Sequence, residues 1–96
     1  KGAYQLSTVT ASGAVPQNRT YIDFNSGTGL AMTLADGTIA GEFKKMTNRG
    51  AGTVTVTPAN FAGGTSFAIA QNEGTEVIWD GNNWFVIGNQ SVLTIA

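Results

Sequence analysis

Neither cysteine nor histidine occurs in this 96-residue chain. Without cysteine there are no disulfides to support a small core, and without either residue the commonest nucleophile, general-base and metal-ligand combinations are closed. A domain of this length buries only about two-thirds of the surface its unfolded chain exposes, so association with other chains is the natural supplement. Charge is scarce as well. Charged residues make up 11% of the chain, against roughly 25% in an average domain. Six Asp/Glu against five Lys/Arg leave a net charge of -1, and so small a surplus builds no broad field to attract nucleic acid or an anionic membrane. No apolar run approaches the ~20 residues needed to span a bilayer. The N-terminus also lacks the charged-then-apolar layout of a signal peptide. Residues 1–96 are therefore expected to form one soluble domain.

What is present is small and neutral. Glycine accounts for 13 residues, and threonine, asparagine and alanine are abundant, a composition suited to packing against copies of the same chain or other proteins. Helical periodicity is nearly absent, whereas period-two alternation and turn dipeptides recur about every ten residues. The pattern predicts an all-β fold, a small antiparallel β-sandwich or partly closed barrel of about eight short strands. The strands are expected near Gln5–Thr10, Thr20–Asn25, Gly29–Leu34, Thr38–Met46, Gly52–Thr57, Thr65–Ala70, Thr75–Trp79 and Trp84–Gly88. Between them lie glycine-bearing turns such as Ser26-Gly27, Asp36-Gly37, Arg49-Gly50 and Gly81-Asn82, where glycine supplies positive φ without steric cost. No internal repeat, linker or charge run is visible.

Two hairpins can be drawn. Asp36-Gly37 carries a type I′ signal and predicts Leu34 opposite Ile39. The stretch WDGNNW, Trp79 to Trp84, holds both tryptophans of the chain. A Gly81-Asn82 turn would set Trp79 against Trp84 and Val77 against Val86, with Ile78 meeting Phe85 on the opposite face. A hairpin apolar on both faces is either covered in the core or placed at a subunit interface, so Val77, Ile78, Trp79, Trp84, Phe85 and Val86 are the candidate interface or core residues. Aromatic cross-strand pairs stabilise a hairpin by themselves. The functional alternative is a sugar platform, with an indole face for a pyranose ring and Asp80, Asn82 and Asn83 as polar partners. Stacking on bases is disfavoured because no basic groove accompanies the rings. Elsewhere, Thr53 to Thr57 alternates strictly, which points Val54 and Val56 inward. Pro58 ends that strand because it cannot donate to a ladder, and Phe61 is expected to tuck back over the core.

The six carboxylates, Asp23, Asp36, Glu42, Glu73, Glu76 and Asp80, are scattered and mostly adjoin turns, where such residues support local backbone. An acid/base pair of the glycosidase kind would need two of them to meet within a supported site. DGNN at Asp80 lacks the ligand spacing and terminal Glu of a calcium loop. The glycines of Gly27 and Gly63 have no strand-to-helix context for binding phosphate. No enzyme activity, cofactor or metal site is expected. Lys44, Lys45 and Arg49 form the only basic cluster; alternation sends Lys44 and Lys45 to opposite faces, as rim charges suited to an interface ion pair.

The span Leu34 to Asn89 resembles a segment found in bacteriophage virion structural proteins, especially those of marine and cyanobacterial phages. The features that carry the resemblance are a DG turn, a GEFK strand, the TVTVT strand, a GGT turn and the closing WDGNNWFVIG hairpin. These features are a grammar of turns and strands rather than a catalytic signature. They cover somewhat over half of the chain. The resemblance implies a capsid decoration or cement protein, or a tail-fibre or head-fibre module. Such a domain is commonly a homotrimer, binds the major capsid protein or another virion protein, and resides on the virion. Edge-strand addition would be a natural mode of contact. A carbohydrate- or receptor-binding knob that uses the tryptophans is the alternative reading.

Overall fold

The computed structural model describes residues 6–89 and 94–95, and no helix occurs among them. Ten strands follow one another: β1 (Leu6–Val9), β2 (Gly13–Ala14), β3 (Tyr21–Phe24), β4 (Leu30–Leu34), β5 (Phe43–Asn48), β6 (Val54–Pro58), β7 (Phe67–Ile69), β8 (Glu73–Trp79), β9 (Trp84–Asn89) and β10 (Thr94–Ile95). They form two five-stranded sheets, ordered β1-β3-β5-β8-β9 and β10-β7-β6-β4-β2. The all-β sandwich read from the sequence is therefore present, and its sheets do not close into a barrel.

The pairing is mixed rather than wholly antiparallel. From β1 to β6 the chain alternates between the sheets, odd strands in the first and even strands in the second. No strand in this half pairs with its successor. Instead β1 lies parallel to β3, β3 to β5, β2 to β4 and β4 to β6. The physical reason lies in the connections: each one crosses the gap of about 10 Å between stacked sheets, and two crossings return the chain to its starting sheet in its original direction. In the two coils from β3 to β6 the offset is the same in both sheets, since Tyr21 pairs with Lys45 and Leu30 with Val54. The chain thus contains a 24-residue structural repeat that its letters conceal; between Thr20–Leu34 and Lys44–Pro58 only Thr33 and Thr57 match. The remaining strands close the fold with antiparallel pairings, β5–β8, β8–β9, β6–β7 and β7–β10.

The corners of the coils stack as the strands do. Gly52 N donates to Ser26 O at 2.9 Å, Leu30 N to Thr53 O at 3.0 Å and Arg49 N to Phe24 O at 3.0 Å. A side chain at Gly52 would collide with the backbone of Thr28, so glycine is what lets one corner lie directly on the other.

The predicted Asp36-Gly37 hairpin does not form. Leu34 pairs in parallel with Pro58, and Ile39 is 72% exposed in a loop. That loop closes on itself, with Thr38 N donating to Glu42 Oε1 at 2.8 Å and Glu42 N to Ile39 O at 3.0 Å. Gly37 serves close packing here, because a Cβ at that position would overlap the Trp79 ring. The DG signal was local, and the choice of partner for β4 was not.

Between the sheets, Ile22, Phe24, Met46, Val77, Trp79 and Trp84 face Leu30, Met32, Leu34, Val54, Val56, Phe67 and Ile69, all buried. Val54 and Val56 point inward as the alternation predicts, while Thr55 and Thr57 are exposed. Pro58 is the last residue of β6. Phe61 packs against the core, its ring 5.5 Å from that of Phe67.

Candidate interaction surface

The β8–β9 hairpin has the register read from the sequence: Trp79 opposite Trp84, Ile78 opposite Phe85 and Val77 opposite Val86. Its turn is held by Asp80, whose Oδ1 accepts from Asn82 N and Asn83 N, both at 2.8 Å. These two backbone donors hold the Asp80 carboxyl below its ordinary pKa, Asn83 contributing more than Asn82. A register shift follows between Glu76 and Val77, where Glu76 pairs with Gly88 and Ile87 becomes the extra residue.

The six hairpin residues divide between two environments. Val77, Trp79 and Trp84 are buried, and Val86 packs against them. The indoles meet with centroids 5.5 Å apart at 54°, and Trp84 Nε1 donates to Ala35 O at 3.0 Å. With Trp79 5% and Trp84 0% exposed, neither ring offers a face to a sugar, and the platform reading loses its surface. Ile78 and Phe85 lie on the outer face of the first sheet, Phe85 exposed and Ile78 half-buried.

Register extends this outer face beyond the hairpin. Phe43 on β5 pairs with Ile78, so Phe43, Ile78 and Phe85 form one row across three strands. The next row runs Leu6, Tyr21, Lys45, Glu76. Five of the seven large exposed apolar side chains of the described residues, Leu6, Tyr21, Phe43, Phe85 and Ile87, stand on these first-sheet strands. Lys45 Nζ lies over the Phe43 ring at 5.9 Å from its centroid. Thr47 Oγ1 donates to Tyr21 Oη at 3.2 Å. Arg49 Nε pairs with Asp23 Oδ2 at 2.8 Å at the margin. The outer face of the second sheet is different in kind, carrying Ala31, Thr33, Thr55 and Thr57.

Neither a protein-family model nor a curated protein matches the chain.

The two lysines do occupy opposite faces, but only Lys45 is at the surface. Lys44 is 1% exposed, so the expectation of a rim charge is corrected. Its Nζ donates to the carbonyls of Pro16, Gln17 and Arg19 at 3.0, 2.9 and 2.7 Å. Removal from water lowers its pKa from the ordinary 10.5, against a smaller upward pull from Glu42. At the other end of β5 the buried Asn48 donates to Gly52 O and Ile69 O and accepts from Gly50 N. β5 thus pins a crossover loop at each end.

Five of the six carboxylates serve as acceptors within the chain. Asp23 takes Arg49, Asp36 takes Asn60 Nδ2, Glu42 takes Thr38 N, Glu73 takes Ala70 N and Asp80 takes its own turn. No group of three or more metal-capable side chains occurs among the described residues. Sequence reasoning found the hairpin half of the outer face and missed Leu6, Tyr21, Phe43 and Ile87. The parity of β5 implied that Phe43 and Lys45 share a face, but only the β5–β8 register joins that face to Ile78 and Phe85.

Proposed function

We propose that this chain is a non-enzymatic bacteriophage virion structural protein, a capsid decoration subunit that binds copies of itself and the major capsid protein. The observation that carries the proposal is the outer face of the first sheet, where Phe43, Ile78, Phe85, Ile87, Tyr21 and Leu6 stand on adjoining strands. Contiguous apolar surface of this kind marks a protein interaction site on a small domain. The sequence resemblance supplies the class of partner. Five of the six carboxylates are occupied with backbone or side-chain donors of the chain itself, and this scatter gives no support to an enzyme. The buried indoles favour decoration over glycan reading.

Co-sedimentation with assembled heads of the phage that encodes the chain tests the proposal. Saturable binding that Phe85→Ser weakens about tenfold or more is the expected result, since loss of an aromatic anchor from the self-association face removes the avidity of a paired subunit on the head. Heads that bind none of the protein, and whose resistance to heat or dilution it leaves unchanged, would overturn the proposal.

A further inference from the structure

The outer face of the first sheet carries opposite charges side by side. Lys45 on β5 pairs across the ladder with Glu76 on β8, and directly beside them Phe43 pairs with Ile78. Consider a two-fold axis lying above the groove between β5 and β8 and parallel to both. It places β5 of one copy over β8 of the other at unchanged height along the strands. Lys45 then meets the second copy's Glu76, and Glu76 meets the second copy's Lys45. In the adjoining row Phe43 meets Ile78 twice. Toward the edges, Tyr21 on β3 lies over β9, the strand that carries Ile87. A single operation thus matches charge with charge and apolar row with apolar row, which is the self-complementarity that an isologous interface requires.

Size is consistent with this arrangement. Four strands, β3, β5, β8 and β9, lie over their counterparts; each about 4.8 Å wide and up to ~20 Å long, they present a face of roughly 20 Å by 20 Å. Closing two such corrugated faces removes on the order of 1,000 Å² from water in total, the size at which specific interfaces begin. The outer face of the second sheet has no such pattern, since Ala31, Thr33, Thr55 and Thr57 offer neither anchors nor charge. Lys45 is also positioned for the task, because its exposed side chain lies along the apolar row, with Nζ 5.9 Å from the centroid of the Phe43 ring.

The geometry points to a face-to-face dimer through the outer face of the first sheet, with two symmetric Lys45–Glu76 pairs between copies. This assignment rests on the self-association in the function proposed above. It names a two-fold contact where the sequence resemblance implies a trimer.

Light scattering across a concentration series reads the outcome directly. The wild-type chain is expected at twice its 9.9 kDa. Lys45→Glu gives a face with two negative charges and Glu76→Lys one with two positive charges, so each variant alone should dissociate at concentrations about a hundredfold higher. An equimolar mixture of the two should regain the wild-type midpoint as a heterodimer. Rescue in trans separates the contact between copies from the Lys45–Glu76 neighbourhood within one copy, which mixing cannot repair. Near-UV circular dichroism of the buried Trp79–Trp84 pair verifies that each variant is folded. A mixture without rescue, or a dimer or trimer indifferent to both variants, would overturn the two-fold contact and leave self-association intact. A 9.9 kDa species at every concentration would overturn self-association as well, while head binding is judged separately by the co-sedimentation experiment.

Discussion

A lysine ammonium taken out of water forfeits several kcal/mol of hydration, and Lys44 offsets part of that loss through three carbonyls on one short loop. Its folded pKa nonetheless lies below the ordinary 10.5, so between those two values the unfolded chain binds the extra proton. Stability must then rise with pH through that window. The contribution is fully present above 10.5 and is lost as pH falls through the folded value. Denaturant titrations of the wild type and Lys44→Met, carried from about pH 8 to 11, should show the wild type gaining on the variant, because the other titrating groups are common to both. A constant difference would show that Lys44 titrates normally. Trp84 provides a second residue-scale expectation. Its side chain is fully buried and its Nε1–H is bonded to Ala35 O, so Trp84→Ala should cost about 3–5 kcal/mol of unfolding free energy. Phe85→Ala, one residue away on the outer face, should cost under about 1 kcal/mol when measured on the monomer.

Among the elements, the stacked corners set the tolerance to substitution. Gly52 lies against the Thr28 backbone and Gly27 has nothing within 4 Å, although both belong to the same pair of corners. Gly52→Ala should lower stability by about 1–3 kcal/mol, as overpacking does. Gly27→Ala should leave stability unchanged or raise it by up to about 1 kcal/mol through loss of unfolded-state freedom. Thermal melts of the two variants side by side would decide whether the corners are as tight as their hydrogen bonds indicate. The same elements show what a sequence can and cannot disclose. The β8–β9 hairpin was legible because its register is set by a turn at Asp80–Asn83 and by alternation on either side, all within a dozen residues. The inward valines of β6 were legible for the same reason. The partner of β4 was not, because DG between two apolar runs has the same letters whether the chain folds back beside itself or crosses to the other sheet. Lys44 was misplaced because alternation gives the parity of a side chain and not the side on which the core lies. The outer face was half legible, its hairpin portion local and its Phe43–Lys45 portion dependent on the β5–β8 register.

At the scale of the whole molecule, nearly every pairing joins distant stretches of chain. Leu6 reaches Tyr21, Tyr21 reaches Lys45 and Leu30 reaches Val54, and among the described residues β8–β9 is the one ladder closed by a tight turn. Loop-closure entropy must be met before such contacts return anything, so refolding should take milliseconds to seconds instead of microseconds. Stopped-flow tryptophan fluorescence would measure it, and a microsecond phase carrying the full amplitude would contradict the expectation. The two outer faces differ in kind, one carrying small neutral side chains and one carrying large exposed apolar ones. The equal spacing of the coils has a consequence for ancestry. Because Tyr21-to-Lys45 and Leu30-to-Val54 advance by one common interval, duplication of that interval would add a strand to each sheet without disturbing the alignment of any other. A gain or loss of another length falls to the corners, as it does where Leu6 pairs with Tyr21 in one sheet and Gly13 with Met32 in the other at unequal intervals. Relatives that grew by such duplication should therefore have gained strands in pairs, one to each sheet.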